Sequence, residues 1–277
     1  MLYGYDVMHL YTEIELEKTK PINSVVVFFR VLGFSNLVLK DYKKATIVCD
    51  ALSKISEQFN STNKVYTSKP IDGYDESPVQ MHSTIFSNII ILSCPVVEKN
   101  RLFILKEVIR MVCDVQFHMF QEGIIIRGGI TIGDICHNEK YVFGKAVMEV
   151  MALESKVAMY PRIIFSDQLL NIIATELNKS ILLNTDNFKY ISENECFFEQ
   201  YIQEDDDLVM YIDYIGVGLL MFLDIMGGDY ASDFQIDFLD KINQYIEIGK
   251  ENKVKAIKNK YLWIEEKFIN KLNHLSI

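Results

Sequence analysis

The chain has 277 residues, 49% of them hydrophobic, enough for one large domain or a domain with a helical appendage, and too apolar for disorder over most of its length. Its formal net charge of -10 argues against non-specific nucleic-acid binding, which needs clustered Lys and Arg to neutralise phosphates, but leaves room for a small basic pocket. The longest apolar runs, 25–29 and 215–225, fall short of the roughly 20 residues a membrane span needs, and the second contains Asp224.

Residues 1–20 carry no clear period and no basic start followed by an apolar core, so an N-terminal arm on a cytoplasmic, membrane-free protein is expected. Ser24–Leu32 is rich in Val and Phe and reads as a buried strand, broken at Gly33. Ala45, Val48, Leu52, Ile55 and Phe59 form one stripe, which predicts an amphipathic helix over 41–60. The polar segment 61–80, with Pro70, Gly73 and Pro78, reads as a loop or a weak edge hairpin. His82–Ser93 reads as one strand stopped by Pro95. Arg101–Gln121 reads as a helix with Leu102, Leu105, Ile109, Val112 and Val115 along one side, ended by Gly123. A strand over 124–135, interrupted at Gly128 and Gly129, leads through a turn to the short apolar stretch 141–143. A helix over 144–157 and a strand over 162–165 follow, and Ser166 is placed to cap a helix through Leu177.

Beyond about residue 178 the character changes. Glu204–Asp207 is an acidic turn before a strand-like LVMYID, and 233–250 and 252–273 read as helices. The last has Val254, Ile257, Tyr261, Ile264, Phe268 and Leu272 on one side, with lysines expected to form a solvated face. Five widely spaced cysteines form no CxxC and fit buried thiols in a reducing compartment. Five histidines show no zinc spacing. The predicted class is α+β: a ferredoxin-like sheet with helices packed on it, over 21–177, and a C-terminal helical extension, 178–277, packed against it.

Two stretches carry the chemistry. Ser24–Val38 reads SVVVFFRVLGFSNLV and His82–Ser93 reads HSTIFSNIIILS. Both resemble strand ends of class III nucleotide cyclases, where similar patterns, FxDxxGF and FSD, carry two metal-binding aspartates. Further on, IIIRGGITIGD (124–134), VFGKAVMEVMALESKVAMYPRIIFS (142–166), LVMYIDYI (208–215) and NKYLWIEEKFIN (259–270) together resemble the adenylate/guanylate-cyclase-like enzymes of the bacterial Pycsar antiphage system. The likeness runs over residues 21 to 272. It implies a class III cyclase-type sheet, a homodimer, Mg²⁺ or Mn²⁺, and conversion of UTP or CTP to cyclic UMP or cyclic CMP plus pyrophosphate.

At the two aspartate places this chain has Arg30 and Asn88. A guanidinium cannot ligate a cation, and an amide oxygen does so only weakly. Asp134 and Asp72 are the acids that could stand in for those ligands, though their spacing does not show that they reach the site. Met148 and Ala152 fall where class III enzymes carry an Asn and an Arg, a pair that Pycsar-like sequences also lack. Arg30 either pairs with a surface carboxylate or reaches into the vestigial cleft and holds phosphate. Gly33, Phe34 and Ser35, in the turn beside it, Arg127 before the two glycines, and Lys145 at a helix start are further candidate phosphate contacts. Arg127 is equally readable as a surface partner at a β-bulge, Lys145 as a solvated lysine, and Arg162 as an anchor of the sheet edge. Two functions follow: a pyrimidine cyclase impaired in catalysis, or a catalytically silent pseudo-cyclase that binds a nucleoside triphosphate, a cyclic nucleotide or a protein partner.

Overall fold

A computed structural model describes residues 20–61, 81–183, 188–225 and 231–274. Residues 1–19 of the expected N-terminal arm and 62–80 of the expected loop or hairpin, Asp72 among them, lie outside these residues.

The centre is β1 (Ile22–Val31), where six consecutive residues, Ser24–Phe29, are buried because both faces of the strand are covered. After Gly33, whose positive φ of 74° turns the chain, come the short α1 (Phe34–Lys40) and α2 (Tyr42–Ser61). All five residues of the predicted α2 stripe are buried. The single strand expected over 82–93 is a hairpin of β2 (His82–Phe86) and β3 (Ile89–Pro95). Ser87 supplies the left-handed residue of its two-residue turn, at φ 58°, without the Gly or Asn-Gly that announces such turns.

Helix α3 (Arg101–Gln121) spans its predicted range and ends before Gly123, at φ 79°. Strand β4 (Ile126–His137) follows and runs unbroken through Gly128 and Gly129, in register with β1 from Ile22↔Ile135 to Val31↔Ile126. The expected interruption and bulge are therefore absent there. A Cβ on Gly128 would stand 2.1 Å from the Phe28 carbonyl oxygen of β1, and one on Gly129 would stand 2.9 Å from Leu153 Cβ. These glycines let a strand and a helix approach.

Next come β5 (Val142–Phe143), paired with the end of β4, α4 (Lys145–Lys156) and β6 (Ile163–Phe165). The Ser166 hydroxyl accepts from the Leu169 N–H at 3.1 Å and caps α5 (Asp167–Leu183), as predicted. The rest is α6 (Phe188–Tyr201), β7 (Ile202–Glu204), β8 (Met210–Ile212), α7 (Tyr214–Ile225), α8 (Ala231–Glu251) and α9 (Lys255–His274).

The protein is α+β, with one open, mixed, eight-stranded sheet in the order β2-β3-β1-β4-β6-β8-β7 and β5 paired to β4. Of the strand pairs, β4 and β6 run parallel and the others antiparallel. Val25, Val27, Phe29 and Val31 join the large core with α2 and α3, while Val26 and Phe28 pack with Ala146, Val147 and Val150 of α4. The C-terminal segment adds two strands to the sheet as well as helices. Cys49 and Cys196 are exposed, contrary to the expectation of five buried thiols. No helix among the described residues is long and apolar enough to cross a membrane.

Arg162 corrects another expectation. Strand β6 lies between β4 and β8, so Arg162, just before it, stands inside the sheet and is fully buried. It bonds Asp205 and, at 3.0 Å, Asp207. The α9 lysines are likewise not all solvated. Lys267 is buried and bonds Asp205 at 2.6 Å, and Lys271 reaches the buried Asp213 at 2.7 Å.

Candidate functional site

Arg30 and Arg127 are direct cross-strand partners at one end of the β1–β4 pair. Like charges so placed repel unless a counter-ion lies between them. That counter-ion is Glu154, near the end of α4, whose apolar face (Ala146, Val147, Val150) docks it against the sheet. Its side chain is only 2% exposed. Arg127 Nε donates to Glu154 Oε1 at 2.7 Å, and Arg30 Nε lies 3.4 Å from the same oxygen. The second contact is an ion pair without a directed hydrogen bond, which leaves Arg30 Nε buried and unbonded. The Arg30 side chain is 38% exposed and passes over the Phe28 ring, 5.9 Å from its centroid. Its fork can therefore present donors to a solute.

Lys260 of α9 joins this group. Burial lowers its pKa, the like charge of Arg127 adds to the effect, and Glu154 opposes it. A third cation therefore stands near enough to Arg127 and Glu154 to feel both charges.

The other candidates fall in two places. Asn88 sits in the β2–β3 turn beside the end of β1, with its carbonyl accepting the Val31 N–H at 2.9 Å and its side-chain Nδ2 donating to the Val31 carbonyl at 2.8 Å. Positions 30 and 88 are therefore close along the backbone, yet their side chains take different partners. Gly33, Phe34 and Ser35 follow immediately, with the Gly33 carbonyl accepting from the Asn36 N–H and Phe34 buried in the large core.

Lys145 is exposed at the opposite end of α4 from Glu154, about 14 Å along the helix axis. It is not part of the arginine group. Asp134 pairs with Asn23, seven residues along β1 from Arg30 and so roughly 23 Å away. Met148 is exposed on α4, and Ala152 is half-buried beside it.

The divalent ion that the resemblance implies does not fit these residues. At the first ligand place stands a guanidinium already engaged with a carboxylate, and at the second an amide whose nitrogen is bonded to backbone. Among the described residues, no three His, Cys, Asp or Glu side chains gather as a metal site.

A second polar cluster lies across the sheet. His137 Nδ1 meets the Ser93 hydroxyl at 2.8 Å, its Nε2 meets Thr84 at 2.9 Å, and the His82 ring lies 5.6 Å away. Burial, then the neighbouring His82, push His137 down to about 4, so near neutrality its ring is uncharged and bridges two hydroxyls. Ser93 is buried, and this cluster reads as a polar tie between β3 and β4.

Sequence reasoning found Arg30 and Arg127 but missed Glu154 and Lys260. Glu154 does carry a signal, being the one acid on the buried stripe of α4, eight residues after Ala146. Lys260 carries none, because only the tertiary path of α9 brings it here. No family model matches the chain, and no curated protein gives a significant match.

Proposed function

We propose that this chain is a cyclase-fold protein of the antiphage pyrimidine-cyclase type that has exchanged metal-dependent catalysis for metal-free binding of a nucleotide phosphate. Two lines of support converge. The chain order β1-α-β2-β3-α-β4 with sheet order β2-β3-β1-β4 is that of the split βαβ, ferredoxin-like arrangement on which class III cyclases are built. Fold alone does not imply function.

The observation that carries the reading is the Arg30–Arg127 pair sharing Glu154 at the place expected for the first metal ligand. Two guanidiniums on one carboxylate leave positive charge in excess, and guanidinium forks match phosphate oxygens in paired hydrogen bonds. Arginine stands where a cation would have stood, and the triphosphate that metal ions would neutralise meets fixed side-chain charge instead. Without the metal, the attacking ribose hydroxyl and the leaving pyrophosphate lose their shared stabilisation, and turnover falls by many orders of magnitude.

The experiment is a titration with UTP, CTP and their cyclic monophosphates in chelator, beside incubation of all four ribonucleoside triphosphates with Mn²⁺ and mass analysis of products. Binding that survives chelation and no cyclic product are expected. Cyclic product from the unaltered chain would return it to the active cyclases, and binding that requires the metal would exclude the arginines as its replacement.

A further inference from the structure

Lys260 lies within the stretch NKYLWIEEKFIN but was not among the candidate phosphate contacts read from the sequence. It belongs to α9, and the course of that helix is fixed one turn later. The Trp263 ring stacks on that of Tyr160, 5.9 Å between centroids and 8° from parallel. The Arg162 carbonyl, two residues on, accepts the Gly128 N–H at 3.0 Å, next to Arg127. The start of α9 therefore runs beside the end of the β1–β4 pair that bears the two arginines. Lys260 is half-buried, and the charge of Glu154 acts on it against the desolvation and the like charge of Arg127. Arg30 of β1 and Arg127 of β4 share the charge of Glu154, and Lys260 of α9 feels the charges of Arg127 and Glu154 as well.

We infer that Lys260 completes a three-cation cradle with Arg30 and Arg127, and that the group it takes is a phosphate dianion, the terminal phosphate of a nucleoside di- or triphosphate rather than a cyclic monophosphate. This rests on the phosphate-binding reading of the arginine pair and narrows it. A cyclic phosphodiester carries one negative charge and leaves the cradle positive, whereas a terminal phosphate carries nearly two and has three free oxygens for two forks and an ammonium. Half-burial of the lysine raises the strength of that contact above that of a surface pair. The ligand would also bridge the sheet and α9, so binding depends on the C-terminal segment being docked.

The test uses the full chain in chelator at low ionic strength, with UTP, pyrophosphate and cyclic UMP as probes. Lys260→Gln is compared with Arg30→Gln and with Lys255→Gln, an exposed residue of the same helix. Loss of one charge-assisted contact weakens binding about 10- to 100-fold. That loss is expected for UTP and pyrophosphate in Lys260→Gln, with cyclic UMP weak throughout, Lys260→Arg retaining most of the affinity, and Lys255→Gln unchanged. The far-ultraviolet spectrum and melting temperature of each variant establish that it is folded. If Arg30→Gln loses UTP while Lys260→Gln keeps it, Lys260 is not in the site and the arginine reading stands alone. If cyclic UMP binds as tightly as UTP, the preference for a dianion is wrong. If the unaltered chain binds none of the three probes, both this inference and the reading beneath it fall.

Discussion

Arg30 is a charge in a strand that is otherwise buried on both faces, and such a residue needs a partner to be tolerated there. The partner, Glu154, is shared with Arg127 at 3.4 and 2.7 Å, and this sharing gives opposite effects on two measurable quantities. Glu154→Gln keeps the shape and a carbonyl acceptor but removes the negative charge that the two arginines share. Stability in urea should fall by about 1–3 kcal/mol, the scale for weakening a buried hydrogen bond to a charged group. Pyrophosphate affinity should rise at the same time, because the excess positive charge grows. A variant with unchanged stability and unchanged affinity would show that Glu154 does not neutralise the pair. At this scale the sequence was half legible. Arg30 stood out because its neighbours Val27, Phe28, Phe29 and Val31 are apolar. Glu154 was overlooked, although its place on the Ala146–Val150 stripe of α4 sets it apart from Glu149 on the same helix. Asn88 was noticed only through the resemblance, as standing where those enzymes carry an aspartate, and its bond to the Val31 carbonyl depends on a hairpin turn that the apolar run around it concealed.

Helices α2 and α3 were readable because a period of 3.6 marks their buried sides directly, and their boundaries follow from Gly123 and the apolar stripes. The strands were less so. An apolar run through residues 82–93 has no period that distinguishes one strand from two, and Ser87 takes a left-handed conformation without a glycine to announce it. Gly128 and Gly129 misled in the other direction, since glycine in a strand can mark either a bulge or a close approach. The unbroken register of β1 with β4 makes it the latter, and the two positions predict different substitutions from Gly33. At Gly33 nothing lies within 4 Å of an added Cβ, and only the φ of 74° resists a side chain. At Gly129 the added atom meets Leu153 Cβ at 2.9 Å and the Val150 carbonyl oxygen at 3.1 Å, both on α4. Gly129→Val should therefore push α4 off the sheet and lower stability by about 1–3 kcal/mol, the range for an overpacked core. Because Glu154 rides on that helix, its contacts with Arg30 and Arg127 should loosen as well, raising amide exchange at the end of α4. A Gly129→Val protein as stable as the parent, with exchange unchanged along α4, would mean that the helix is not seated where Glu154 needs it.

For the molecule as a whole, the question is whether the C-terminal segment is an appendage or part of the same cooperative unit. Strand β8 pairs with β6, so the sheet continues past residue 178. Asp205, between β7 and β8, is held by Arg162, by Lys267 and by the Trp263 indole N–H at 2.7 Å. Burial alone would raise the pKa of Asp205, but hydrogen bonds from Lys267 and Trp263 outweigh it and hold the carboxyl below its ordinary value. Separating α9 from the sheet would break the Lys267 and Trp263 bonds to Asp205 and expose Trp263, Ile264 and Phe268, which are buried against the rest of the molecule. Detachment of α9 should therefore coincide with global unfolding. Trp263 is the single tryptophan of the chain, so its fluorescence reports that helix alone while far-ultraviolet ellipticity reports all of them. The two urea transitions should superimpose, and Arg162→Met should move both midpoints down together, because it removes the partner of Asp205 and Asp207 at once. If fluorescence instead changes well before ellipticity, the segment folds as a separate unit. Lys260 would then be carried on an element that leaves the proposed phosphate site while the sheet remains intact.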